Sequence, residues 1–331
     1  EQFSARAGLT NLQAGKLLGQ EATLGRITAT ATIRGSGLDP ATMRAAFTVR
    51  AQRAEIKGYP YRNFAATGTI ARQNLVLRGD IRDPNIRLSL DAKASGIMNT
   101  YPALKLTAEV DSADFHALNL YPEPFRFAGK LVADLPSTNP DSLAGEIETS
   151  GLQLSLKGEH YALDSVRILA TAQGDQRTLK LRSEVVSADL NGRYRLTEIG
   201  NVLTNQVNRY FKIGDGRELP VSAPHDFTVT AHVTNRPVLQ TFVPAISRME
   251  TADFSARINS TTSTLDMEGT VPQIVFMGYN VRNLKLDLSS DSNALNYSVT
   301  LDNASSASLQ LNKTSLSGKV QNNELGVNLN I

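Results

Sequence analysis

The chain has no cysteine, no tryptophan and only four histidines. Without cysteine, disulfides and thiolate metal sites are excluded, and the sequence fits any redox compartment, a bacterial periplasm included. His116, His160, His225 and His232 show neither H-E-x-x-H nor another paired zinc spacing, and a lone histidine in a strand is far more often structural than catalytic. Aromatics make up 6% of the residues, so Leu, Ile, Val and Ala must supply the apolar surface. An excess of one charge is missing as well. The 34 Lys+Arg against 32 Asp+Glu give +2, which argues against a nucleic-acid binder with its basic stripe. No apolar run approaches the roughly 20 residues of a membrane-spanning helix, and no signal peptide is present.

Catalytic motifs are missing too. Gly35-Ser36-Gly37 and Gly214-Asp215-Gly216 match neither a dinucleotide fingerprint nor a Walker loop, and no G-x-S-x-G occurs. Asp287, Asp291 and Asn293 lie close together without the EF-hand pattern and read as a solvated turn rather than a calcium site. The expectation is a chain that is no enzyme and needs no cofactor or metal.

What the sequence does have is a recurring series of short alternating strands. It is clearest from Ala54 to Leu90, and it returns around Gly158 and Gly278. Each copy has an apolar-alternating strand, a Gly-centred turn and further strands. Tyr59-Pro60-Tyr61-Arg62-Asn63-Phe64 matches Tyr279-Asn280-Val281-Arg282-Asn283-Leu284 most closely. There the Gly permits the turn, and the Tyr is expected to cover a sheet edge. Asp39-Pro40 and Asn139-Pro140 stand 100 residues apart, as do Gly58 and Gly158, so a supersecondary unit is duplicated. Thr197–Ile213 reads as the longest helix, capped by Thr197; Asn11–Leu18 and the residues after Pro237 read as short ones. The division expected is 1–196 (repeats near 39–96 and 139–196), a helix-containing connection at 197–251 and a further repeat at 252–331. The ends read as cut through strands, as in a fragment of a longer protein.

Strand residues two apart share a face. Leu75, Leu77, Ile81, Ile86, Leu88, Leu90, Leu104 and Leu106 therefore line one surface. Leu179, Leu181, Leu284, Leu286, Val299 and Leu301 line its continuation, while Arg78, Asp80, Arg87, Ser89 and Asp91 face the other way. Two sheets burying such faces against each other would make an ordinary core and a plain spacer. A mainly β, elongated sheet curled into a taco-like trough would leave the lining open to a ligand. A lipid-facing membrane barrel is the weaker alternative, because its aromatic girdles are lacking.

With these residues in place, the chain resembles the AsmA-like superfamily, and within it the TamB-type proteins of bacteria with two membranes. The resemblance rests on Gly35–Pro40 after a strand with its Asn139 echo, on the Gly-Tyr-x-x-Arg-Asn turns at Gly58 and Gly278, and on short apolar helices between strand runs. The second copy departs from the turn motif, with Glu159 and His160 where Tyr59 and Pro60 stand. The resemblance implies a periplasmic protein with an inner-membrane anchor outside this sequence. Its trough would carry phospholipid acyl chains between inner and outer membrane. It also implies an outer-membrane barrel partner and a role as a scaffold in outer-membrane protein assembly.

Overall fold

The computed structural model describes residues 2–37, 39, 41–291 and 293–331, with Leu18 described in its backbone alone. The Asp39-Pro40 turn expected from sequence thus lies partly outside the described residues. The protein is mainly β, one open antiparallel sheet of twenty strands. In chain order these are β1 (Gln2–Gln13), β2 (Leu24–Ser36), β3 (Arg44–Ile56), β4 (Tyr59–Ala71), β5 (Asn74–Asp83), β6 (Ile86–Ser95), β7 (Ala103–Asp114), β8 (Phe125–Ser137), β9 (Ala144–Leu156) and β10 (Glu159–Gln173). They continue with β11 (Gln176–Ser183), β12 (Val186–Arg193), β13 (Asp226–Val233), β14 (Ile246–Met249), β15 (Ala252–Asn259), β16 (Thr264–Phe276), β17 (Tyr279–Ser290), β18 (Leu295–Ser305), β19 (Gln310–Gln321) and β20 (Glu324–Asn330). Among the described residues three short α-helices interrupt them: α1 (Ala14–Leu18), α2 (Ile199–Asn208) and α3 (Pro237–Phe242).

The chain divides into two compact units, Glu1–Thr138 with Gly145–Val166, and Asn139–Ala144 with Arg167–Ile331. In the first, each strand from β1 to β8 pairs with the next in sequence. In the second the same meander runs from β11 to β20. One strand position there is shared. β14 lies beside Ile274–Phe276 of β16, and β15 beside Thr264–Thr270 of the same strand.

The tight turns follow from their residues. Lys57-Gly58, Lys157-Gly158 and Met277-Gly278 all have positive φ at both positions, the geometry of a type I′ hairpin, which suits the twist of the flanking strands. Asn63 and Asn283, the Asn of the recurring motif, also sit at positive φ, 51° and 52°, inside β4 and β17. Asn tolerates that conformation better than other non-glycine residues, and each marks a local break in strand alternation. The hundred-residue offset reappears in the strand limits: β3, β4, β5 and β6 begin at 44, 59, 74 and 86, and β9, β10, β11 and β12 at 144, 159, 176 and 186. Ahead of β3 and β9, Asp39 and Asn139 each accept a 2.9 Å bond from the backbone two residues on.

Two local expectations are corrected. The Asn11–Leu18 helix shrinks to Ala14–Leu18, because Asn11 takes positive φ and its amide donates to Thr28 Oγ1, keeping β1 paired through Gln13. The long helix is Ile199–Asn208, and Thr197 does not cap it. The Thr197 amide and hydroxyl instead both bind the Asp141 carboxylate. Tyr59 lies in the part of β4 that pairs with β3 alone, since the β4–β5 ladder starts at Phe64, and its ring stands edge-on to Tyr61, 4.8 Å away.

Candidate functional site

Strand pairing in the first unit aligns the inward positions into rows that cross eight strands. Phe3, Gly35, Ala45, Ile70, Leu75, Ala94, Leu104 and Leu135 form one. Ala5, Ile33, Phe47, Gly68, Leu77, Ala92, Leu106 and Ala133 form the next. Two more run from Ala7 through Val49 and Leu90 to Leu131, and from Leu9 through Phe64, Ile81 and Leu88 to Gly129. Every member of all four rows is apolar or glycine. Ile86 belongs to a fifth, shorter row, opposite Asp83 on one side and Ala113 on the other. At roughly 4.8 Å between strands and 3.4 Å per residue, this surface is about 34 Å long and 20 Å wide.

In the second unit two rows cross nine strands. Leu179, Leu190, Val229, Ala256, Met267, Leu288, Tyr297, Gly318 and Val327 make one. Leu181, Ala188, Ala231, Phe254, Gly269, Leu286, Val299, Leu316 and Leu329 make the other. Leu284 stands opposite Val271, and Leu301 opposite Thr314. The pairing thus gathers the fourteen side chains singled out from the sequence onto one apolar face in each unit.

Burial on this face depends on side-chain size. In the four rows of the first unit the small residues Ala29, Ala45, Ala51, Ala66, Ala108 and Ala133 are buried. Every larger side chain there is only half-buried, except Leu135. A sealed sandwich would bury the large side chains first. Phenyl rings shelter cross-strand glycines on the same face. A Cβ on Gly68 would lie 2.7 Å from the Phe47 ring and 2.5 Å from the Val76 carbonyl. The lining expected from sequence left out these alanines and glycines because neither type is strongly apolar; the signal for them was alternation with polar residues.

The rows of the second unit are covered at both strand ends. At one end α2 packs Val202, with Tyr194 and Tyr210, onto Phe227, Ile258, Leu265 and Leu295. At the other, Leu239 of α3 joins Met249, Ala252, Val271 and Ile274. The outer side of α2 carries a ladder of asparagines. Asn201 Nδ2 donates to the Pro220 carbonyl at 2.9 Å. Asn205 satisfies both the carbonyl and the amide of Leu219, at 2.9 and 2.8 Å. Asn208 binds the Arg217 carbonyl and the Ile213 amide, so the 213–220 segment is strapped to the helix. A cavity of about 650 Å³ lies among α2, this segment and Ser260-Thr261. Nearby, His225 is fully buried, its Nδ1 2.8 Å from the Ala223 carbonyl and its Nε2 3.6 Å from Glu198 Oε2. Hydrogen bonds from Ser222 hold the Glu198 carboxyl below the usual carboxylate range.

Of Asp287, Asp291 and Asn293, only the last two belong to a turn: Asp291 Oδ1 accepts the amides of Asn293 and Ala294 at 2.7 and 2.8 Å. Those bonds lower its pKa. Asp287 stands in the ladder between Glu268 and Ser298. His232 pairs across the ladder with Asp253. Among the described residues no group of three or more His, Cys, Asp or Glu could hold a metal ion. Among the described residues no helix is long and apolar enough to cross a membrane. Comparison with protein-family models, with curated proteins and with solved structures finds no match.

Proposed function

We propose that the apolar face carries lipid acyl chains, and that the protein is a segment of a bridge-like lipid conduit of the periplasm, between inner and outer membrane. The observation that supports this most is the half-buried state of the large side chains in unbroken apolar rows. Each CH₂ of a lipid tail removed from water on such a floor gains about 0.8 kcal/mol. Because the rows are mostly aliphatic and continuous, a tail can shift from strand to strand at nearly constant energy. No residue needs to hold it tightly, and headgroups remain in water.

The test uses Leu77→Asp with Leu106→Asp, which share a row and flank Ala92. The double variant is expected to fold, to lose co-purified phospholipid by native mass spectrometry, and to stop transfer between donor and acceptor vesicles. A folded variant that transfers lipid at the normal rate would refute this function.

One observation favours a second reading, that of a scaffold acting by strand addition. Every residue of β20 is exposed, and among the described residues its ladder partner is β19 alone. Lysines block edge pairing. Asn328→Lys with Asn330→Lys, which alternate with Val327 and Leu329 and so point away from the apolar rows, should therefore abolish capture of a β-rich client in a pull-down if the edge is the working surface. It should leave lipid loading unchanged if the face is.

A further inference from the structure

At one end of the strands in the second unit, the apolar face does not stop under α3. It continues past it to an exposed tip. Ile274 and Val281 are paired in the covered cluster, and two residues on, the same side of the ladder carries the pair Phe276 and Tyr279. These are 43% and 44% exposed. Between them Met277 is 71% exposed, and its amide donates to the Ala245 carbonyl at 2.8 Å. That bond sets the β16–β17 turn against the end of α3, where Phe242 is 66% exposed.

Two details separate this tip from an ordinary turn. Met277 has φ 50° at the first turn position of a type I′ hairpin, where Asn, Asp or Gly is preferred. A long apolar side chain is thus held in water at a position whose backbone disfavours it. A local cost of this kind is found where a site needs the side chain. Second, Arg248 and Arg282 stand opposite Val275 and Gln273 on the outer face of the same strands. Both are exposed and have no ion pair among the described residues. Acids of that neighbourhood are Glu250, whose amide bonds Gln273, and Asp302, which accepts from Asn283 Nδ2 at 2.7 Å.

We infer that this tip is a membrane-docking surface: Phe242, Phe276, Met277 and Tyr279 enter the interfacial layer of a bilayer, and Arg248 and Arg282 engage anionic headgroups. Apolar side chains at a protruding tip with arginines behind them have the chemistry of an interfacial anchor. The occupant is a bilayer rather than a protein strand because the most exposed apolar side chains, Phe242 and Met277, stand at a helix end and on a turn rather than along a strand edge. Continuity with the apolar face gives the contact its use, since a tail leaving the bilayer over Phe276 meets the covered cluster and then the rows. This extends the lipid reading and rests on it for the use of the contact, though not for its geometry.

The experiment is vesicle flotation of the full chain, with phosphatidylethanolamine–phosphatidylglycerol vesicles and with phosphatidylcholine vesicles. The wild type should float with the anionic vesicles. Met277→Asn suits the turn better than methionine, so its thermal midpoint should hold or rise while vesicle binding falls about tenfold. Phe242→Ser should act in the same direction, and Arg248→Gln with Arg282→Gln should remove the preference for the anionic vesicles. Wild-type binding retained by Met277→Asn overturns the inference. So does self-association that Met277→Asn abolishes in the absence of vesicle binding, which would make the tip a contact between copies. The Leu77→Asp, Leu106→Asp protein serves as the control. If it floats normally but carries no lipid, the docking surface stands as a separate function. If lipid loading proves independent of those rows while flotation still requires Met277, the conduit fails and the tip survives.

Discussion

Asp83 is a carboxylate held out of water at 2% exposure, and three donors make that tolerable. The Tyr59 hydroxyl and the Asn85 amide bind one oxygen, and the Arg62 amide binds the other at 2.9 Å. Asp83→Ala strands all three donors and is expected to cost about 2–4 kcal/mol in denaturant unfolding. Tyr59→Phe, which removes one donor and leaves the backbone bonds, should cost about 1–2 kcal/mol. Desolvation, and then the bond to Asp83, push the Tyr59 phenol up to about 12. Burial does the same to Tyr194. A raised phenol means that the native state favours the neutral form. Its stabilisation is complete below about pH 10, the value of a free tyrosine, and is lost as pH rises toward 12. Unfolding midpoints measured from pH 8 to 12 should therefore fall above pH 10, less steeply in Tyr59→Phe.

Helix α2 joins two jobs on opposite sides, as its sequence allows. Val202 and Val207 face the sheet, while Asn201, Asn205 and Asn208, spaced at i, i+4 and i+7, recur on the other side. Asn205→Ala leaves the Leu219 amide and carbonyl without partners. Amide exchange at Leu219 should accelerate at least about tenfold, with the exchange of β13 unchanged. The apolar side of this helix was legible in the sequence as a 3.6-residue period. Its length was not, because Asn208 Oδ1 takes the Ile213 amide in a side-chain competition with the helix. Nor was the strap legible, since an asparagine ladder reads as generic polarity until the 213–220 segment lies across it. The recurring Tyr-x-x-Arg-Asn was visible as a motif, but its Asn is explained only by φ near 50° at Asn63 and Asn283.

The meander was readable from strand alternation and turn residues alone, because every pairing is local in sequence apart from the β13–β15 and β14–β16 steps. The face was readable in its leucines, but the register that sets Leu77 beside Gly68 and Ala92 was not. That register depends on the I′ turns and on the irregularities at Leu9, Thr28, Arg87 and Val110. The α3 tip was missed because it joins two segments more than thirty residues apart.

A chain whose strands, the β13–β15 and β14–β16 steps apart, bond to their neighbours along the backbone can lengthen or shorten without redesign, provided that it does so two strands at a time. Adding a hairpin returns the backbone to the same heading with the same side up, so the greasy floor gains about 10 Å and nothing else must adapt. Adding a single strand would reverse the heading of everything downstream. The hundred-residue echo, four strands long, obeys that parity: span is the quantity that duplication can change here most cheaply.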